Sequence, residues 1–235
     1  MKNIDEICLV VQARLSSQRL PEKMIKPFAG SNLFEIALKK LGKSKVLPKS
    51  QIYSSVRDPV LVDISLGCGI NVFERSEKSA LSEGTPMTEI YEWWDQLPYK
   101  YCIMINACCP LLSIEAIDKF IKAYTETDSR GLFGVIEKKN YFWDINGDLI
   151  TKWPEDEEVM NTKNVGITYE AAHCLYAGKM EDIGNSIWMG EFKKDDPELC
   201  TVPEEETFDI DYPWQFDVAE TLYIKKFMEG SDNLY

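Results

Sequence analysis

The chain has 235 residues, and 39 acidic against 26 basic side chains leave a formal charge of −13. So acidic a surface argues against non-specific binding to nucleic acid or to an anionic membrane, both of which need a basic face. With 45% apolar and 28% charged residues and no long apolar run, the composition is that of a globular protein without a membrane span.

The first residues lack the apolar core of a secretion signal. The seven cysteines are odd in number and form no Cys-x-x-Cys, and His173 is the single histidine. These features argue against a Cys/His zinc site and fit free thiols in a reducing cytoplasm.

Residues 7–12 (Ile-Cys-Leu-Val-Val-Gln) are the unbroken apolar run of a fully buried strand. Residues 33–42 place Leu33, Ile36, Ala37 and Leu41 on one helical face. A short strand is expected at 51–55, a helix at 59–67 ending at Gly67, and another short strand at 71–73. Pro86 opens a helix over 86–95, where its missing N–H costs nothing. Residues 101–106 read as a second buried strand. Ser113 caps a helix over 113–125 with Glu115 in its first turn, and 131–136 is a further strand. The alternation predicts an α/β fold, a doubly wound, mostly parallel sheet with helices on both faces.

The pattern then changes. Asn146-Gly147 stands among Phe142, Trp143, Ile145, Leu149 and Ile150, a hairpin signal. We read residues 138–170 as a small β-hairpin insertion within a single domain of residues 1–235. Its exposed aromatics mark a dimerisation arm, and so a homodimer; a hairpin packed on its own domain is the alternative. A strand returns at 172–178, a short one follows at 199–203, and a helix over 213–228 closes the chain.

Chemistry concentrates after the first strand. Residues 13–23 bring Arg14, Arg19 and Lys23 together with Ser16 and Ser17. A loop at the carboxyl end of the first strand of such a sheet is where ligands bind, and this one has the donors of a phosphate cradle. It lacks the glycines of the Walker and Rossmann patterns, so a solvated basic turn is the plain alternative. Asp209 and Asp211 flank one isoleucine; on a strand both would face one cation, or else they are two exposed acids.

The run Ala13-Arg-Leu-Ser-Ser-Gln-Arg-Leu-Pro-Glu-Lys23 resembles the signature of the sugar-acid cytidylyltransferases, the CMP-Kdo synthetases and acylneuraminate cytidylyltransferases. Ile105-Asn-Ala-Cys-Cys-Pro-Leu111 and Pro203-Glu-Glu-Glu-Thr-Phe-Asp-Ile-Asp211 resemble two further landmarks, and the likeness covers nearly the whole chain. The resemblance implies a nucleotide-diphospho-sugar transferase-like fold. The implied reaction joins CTP to a 2-keto sugar acid, giving a CMP-sugar and pyrophosphate, with Mg²⁺ as cofactor. Arg14, Lys23 and Asp211 would be catalytic. Ala13, Arg14, Ser17, Arg19, Lys23, Arg75, Thr85 and Asn106 would hold the nucleotide. Asn106, His173 and Lys138 would meet the sugar acid, and Asp209 and Asp211 the metal. The chain departs from the pattern at Leu15-Ser16 and Glu22, where the sialic-acid branch has glycines. It departs again at Asn106 for glutamine and at Cys108, where the Kdo branch has a metal-binding aspartate. A nucleotidyltransferase using another nucleotide or acceptor, or a binding relative without turnover, are the alternatives; Leu15, Glu22, Met24 and Cys108 favour the last.

Overall fold

The computed structural model describes residues 1–81, 84–156 and 158–229. Its centre is a seven-stranded sheet. The first five strands that enter it or pack beside it are β1 (Ile7–Gln12), the two-residue pair β2 (Pro27–Phe28) and β3 (Ser31–Asn32), β4 (Ile52–Val56) and β5 (Asn71–Glu74). The rest are β6 (Tyr101–Ile105), β7 (Leu132–Lys138), β8 (Thr168–Lys179) and β9 (Glu198–Thr201). The order is β5-β4-β1-β6-β8-β7-β9, while β2 and β3 pair only with each other. β8 runs antiparallel to both its neighbours, and the other pairings in the large sheet are parallel. The mostly parallel α/β expectation holds. The order reverses beside β1, and that switch point opens a crevice at the carboxyl ends of the strands.

Alternation along β1 explains the two cores. Ile7, Leu9 and Val11 face one side, where Phe34, Leu38, Phe120 and Tyr124 pack. Cys8 and Val10 face the other, against Trp93, Met180, Ile183 and Met189. Side chains such as Phe34 and Phe120 are wholly buried, each worth about 1.5–3 kcal/mol by transfer.

Helices α1 (Leu33–Leu41), α2 (Pro59–Gly67) and α4 (Ile114–Glu126) lie close to their expected bounds. The Asn32 side chain accepts the Glu35 N–H at 2.8 Å, and Ser113 Oγ accepts the Ala116 N–H at 3.1 Å, so both helices are capped. The helix expected over 86–95 is instead one turn, α3 (Met87–Ile90), followed by a 3₁₀ turn. The tightening carries Trp93 inward, where its indole donates to Gln12 at 3.1 Å. The closing helix is α6 (Pro213–Tyr223) and ends in a wider π turn.

The segment between β7 and β8 forms the expected Asn-Gly turn, with Gly147 at φ +89° and Asp144 accepting the Asn146 and Asp148 N–H groups at 2.9 Å. Beyond it, among the described residues, a single bridge joins Trp143 to Leu149, so the hairpin is far shorter than the pattern predicts. Tyr141, Thr151 and Val165 anchor the segment, while Trp143, Ile145 and Ile150 stay exposed. No helix of the described residues is long and apolar enough to cross a membrane.

Candidate active site

The crevice is a cleft of about 930 Å³. It gathers Ala13, Arg14, Ser17, Arg19 and Lys23 from the loop after β1, and Arg75 from the end of β5. Asn106 from the end of β6, His173 from β8, and Asp209 and Asp211 from the segment before α6 complete the set. Thr85 and Lys138 do not line it. Thr85 Oγ1 donates to the Lys78 carbonyl at 3.4 Å, and the Lys138 ammonium is held by Glu204 and Glu170, because β7 ends on the far side of the returning strand.

The loop after β1 folds on one carbonyl. Leu15 O accepts the Ser17 N–H at 2.8 Å and the Glu22 N–H at 3.2 Å, while Asp58 accepts the Leu15 N–H at 3.3 Å. Ser17 Oγ accepts the Leu20 N–H at 3.4 Å. Glu22 sits at φ +54°, left-handed backbone that favours glycine. The turn then buries Lys23, whose ammonium donates to the Ile210 carbonyl and lies 3.4 Å from Asp211. Burial pulls the Lys23 pKa down, but Cys108, Asp209 and Asp211 outweigh it and the net shift is upward. Arg19 reaches Asp211 at 2.7 Å from a half-exposed position.

Arg14 and Arg75 are poised differently. Arg75 is buried, bonds to Ser79 through Nε and Nη2, and has its pKa pulled down to about 10, first by burial and then by Arg14. Among the described residues neither guanidinium has an ion-pair partner. Two mutually repelling cations on one wall are a preorganised seat for an anion, which relieves both.

Asp209 and Asp211 reach the cleft together, though not on a strand. Ile210 is fully buried between them, with its N–H on the Cys108 carbonyl at 3.1 Å. The Asp209 pKa is raised by burial and then by Asp211. Asp209 Oδ1 is buried without a hydrogen bond. A buried, partnerless carboxylate oxygen beside a second carboxylate fits a hard cation. Among the described residues no cage of three or more Asp, Glu, His or Cys side chains forms, so phosphate oxygens and water would complete the shell. Cys108, pushed up to about 11 by burial, is a thiol and not an anion where the resembled branch has aspartate.

Asn106 is largely engaged in holding the backbone: Nδ2 donates to the His173 carbonyl at 3.0 Å, and Oδ1 accepts the Cys108 N–H at 2.9 Å. His173 sits at φ +52° within a bulge where β7–β8 pairing shifts register between Phe133 and Val135. The bulge turns it outward, with Nδ1 3.0 Å from the Tyr176 hydroxyl. Sequence reasoning missed Gln12, Tyr91, Met104, Tyr176 and Trp188, which also line the cleft. Gln12 and Met104 carried a usable signal, being the residues whose alternation on β1 and β6 aims them at that face.

A switch-point crevice with a cationic loop after the first strand and two facing carboxylates defines a nucleotide-handling α/β protein of the nucleotidyltransferase class. The sequence profile of the cytidylyltransferase family matches residues 8–180. The chain therefore belongs to the cytidylyltransferase family. An uncharacterised protein of Methanocaldococcus jannaschii is 27% identical over 144 residues, 60% of this chain and 55% of that protein, so the match spans about half the relative's length. Among solved structures, a CMP:2-keto-3-deoxy-manno-octonic acid synthetase complexed with CTP superposes with a TM-score of 0.67 at 11% identity, over 92% of this chain and 98% of that one. The 4-diphosphocytidyl-2C-methyl-D-erythritol synthase of Anaerococcus prevotii gives 0.63 at 16%, over 93% and 97%. A cytidylyltransferase of Leptospira borgpetersenii serovar Hardjo-bovis gives 0.59 at 14%, over 92% and 85%. At these identities the shared feature is the fold.

Proposed function

We propose that the protein transfers the cytidylyl group of CTP to the anomeric hydroxyl of a 2-keto sugar acid and releases pyrophosphate. The observation that carries the reading is the convergence of Arg14, Arg19, Lys23 and Arg75 with Asp209 and Asp211 in one cleft of a chain whose net charge is −13. Four cations against two carboxylates leave that cleft positive, as a triphosphate requires. Arg14 and Arg75 hold phosphate oxygens from one wall. Lys23, fixed by the Ile210 carbonyl, stabilises negative charge as the bond to pyrophosphate breaks. Asp209 and Asp211 would hold Mg²⁺, which when bound neutralises triphosphate charge. The acceptor lies along β8, where His173 and Tyr176 present polar atoms to the attacking hydroxyl. The 138–170 segment joins two copies into a homodimer through its exposed apolar side chains.

The test is pyrophosphate release from CTP and Mg²⁺ with a panel of 2-keto sugar acids and, in parallel, the other nucleoside triphosphates. Release with CTP and one of the acids is the expected result. CTP binding without release from any acid would make the protein a binding relative, and release with another nucleotide alone would move the base assignment.

A further inference from the structure

Four cations can seat a triphosphate, and none of them distinguishes one base from another. Resting on the reading above, the acceptor lies along β8, so the nucleoside takes the other half of the crevice, over the ends of β1, β4 and β5. Leu81 and Ile90 also line the cleft and offer apolar surface to a flat ring. Gln12, the last residue of β1, supplies an uncharged polar group immediately before the cationic loop.

The Gln12 amide is held one way round. Its Oε1 accepts the Trp93 indole N–H at 3.1 Å and the Ser55 hydroxyl at 3.4 Å. The 3₁₀ turn over Glu92–Trp94, which replaces the expected helix, brings that indole there, and Trp93 is wholly buried. An indole nitrogen only donates, so a flipped amide would set N–H against N–H where no water can relieve it. Oε1 is therefore spent. Nε2 is the atom left for the cleft, and among the described residues it donates to no acceptor of the protein.

We infer that Gln12 is a specificity-determining residue for the base, its fixed amide donating to N3 of a cytosine, and that Trp93 is the positioning residue that keeps the amide a donor. Cytosine and uracil have nearly the same shape and share the O2 acceptor. They differ in kind at N3, which accepts a hydrogen bond in cytosine and donates one in uracil. A donor-only amide pairs with the first. Against the second it sets two N–H groups face to face and leaves both without a partner, which costs far more than a weak fit.

The probes are α,β-methylene CTP and α,β-methylene UTP, titrated calorimetrically with Mg²⁺; neither releases pyrophosphate and neither needs an acceptor. Wild type should bind the cytidine analogue about tenfold or more tightly than the uridine one. Gln12→Glu keeps an oxygen under the Trp93 indole and turns the cleft-facing atom into an acceptor. Its added charge weakens both analogues, so the ratio is the readout, and it should fall by about tenfold or more. Trp93→Phe leaves Gln12 in place and frees the amide to flip, since the Ser55 hydroxyl can accept as well as donate. It should bind the uridine analogue more tightly than wild type does, with the cytidine analogue little changed, whereas a merely structural loss at Trp93 would weaken both alike. If Trp93→Phe does not fold, the Gln12→Glu ratio decides alone. Equal binding of the two analogues by wild type, a ratio unchanged in Gln12→Glu, or a proportionate loss of both in folded Trp93→Phe overturns the inference, as does failure to bind either analogue. A preference that depends on Gln12, with no pyrophosphate released from CTP by any acid, supports the inference and sinks the proposed reaction; release from CTP beside an unchanged ratio does the reverse.

Discussion

Glu22 holds φ +54° at the tightest point of the loop after β1, where its N–H is bonded to Leu15 O. A side chain in left-handed backbone costs about 1–2 kcal/mol, against about 0.5–1 kcal/mol of extra chain entropy for glycine. Glu22→Gly should therefore raise stability by about 0.5–1 kcal/mol in urea denaturation. It should also lower the KM for CTP, because one carboxylate leaves that loop. A destabilised variant would mean that Glu22 makes a compensating contact. Asp211 carries a second residue-scale prediction. In the free protein it is masked by Arg19 and Lys23, so Mg²⁺ alone should bind weakly, and a triphosphate should open the site by drawing the half-exposed Arg19 away. Asp211→Asn should raise the Mg²⁺ needed for half-maximal pyrophosphate release roughly 10–100-fold. It removes repulsion at Asp209 but also strips buried Lys23 of a counter-ion, so the apo melting temperature should fall slightly. Identical Mg²⁺ titrations for the two proteins would reduce the carboxylate pair to loop acids. These residues were legible because their chemistry lies in their identity: cations after a buried strand and acids flanking an isoleucine say the same thing folded or not. The sequence also placed Lys138 at the acceptor, and nothing local to it foretold its capture by Glu204, 66 residues away.

At the scale of elements, the strands and most helices follow from periodicity and caps, as α1 and α4 show. What periodicity could not give is the bulge in β8 and the strap of residues 185–197 after α5 (Met180–Gly184), because both are fixed by contacts distant in the chain. His173 was singled out as a lone histidine, yet its outward aim depends on a register shift against Phe133 and Val135. Trp188 carried no local signal, since its place depends on Met189 lodging against two glycines. Gly131 tests that dependence. A Cβ there would overlap the Met189 carbonyl, a main-chain atom that no rotamer change can move. Gly131→Ala should cost about 3 kcal/mol or more in denaturant unfolding, the upper range for overpacking. It should also weaken acceptor binding more than CTP binding, because the displaced strap carries Trp188, which packs on Tyr176, and none of the loop cations. Equal loss at both substrates would show that the strap is not independent of the nucleotide end.

For the whole molecule, the sign of the charge decides how two copies can meet. At −13 each, two protomers repel over about a Debye length, roughly 8–10 Å at moderate salt. A stable homodimer therefore has to be apolar at its contact, and the exposed apolar side chains of the arm are suited to it: Ile145 is 100% exposed, Ile150 and Val159 67%, and Trp143 51%. Covering an isoleucine of this kind contributes about 1.5–3 kcal/mol. A symmetric contact uses each residue twice, so the gain doubles across the pair. Ile145→Lys with Ile150→Lys removes that gain and adds charge at the seam, at a cost of several kcal/mol. Sedimentation velocity at micromolar concentration should then show a dimer for wild type and a monomer for the double variant, with far-UV circular dichroism unchanged because Ile145 is fully and Ile150 mostly exposed. The wild-type dimer should also tighten as salt rises from low to moderate strength, opposite to a contact made of ion pairs, because screening removes only the repulsion. A wild-type monomer at these concentrations, or a dimer that loosens with salt, would remove the arm as the interface.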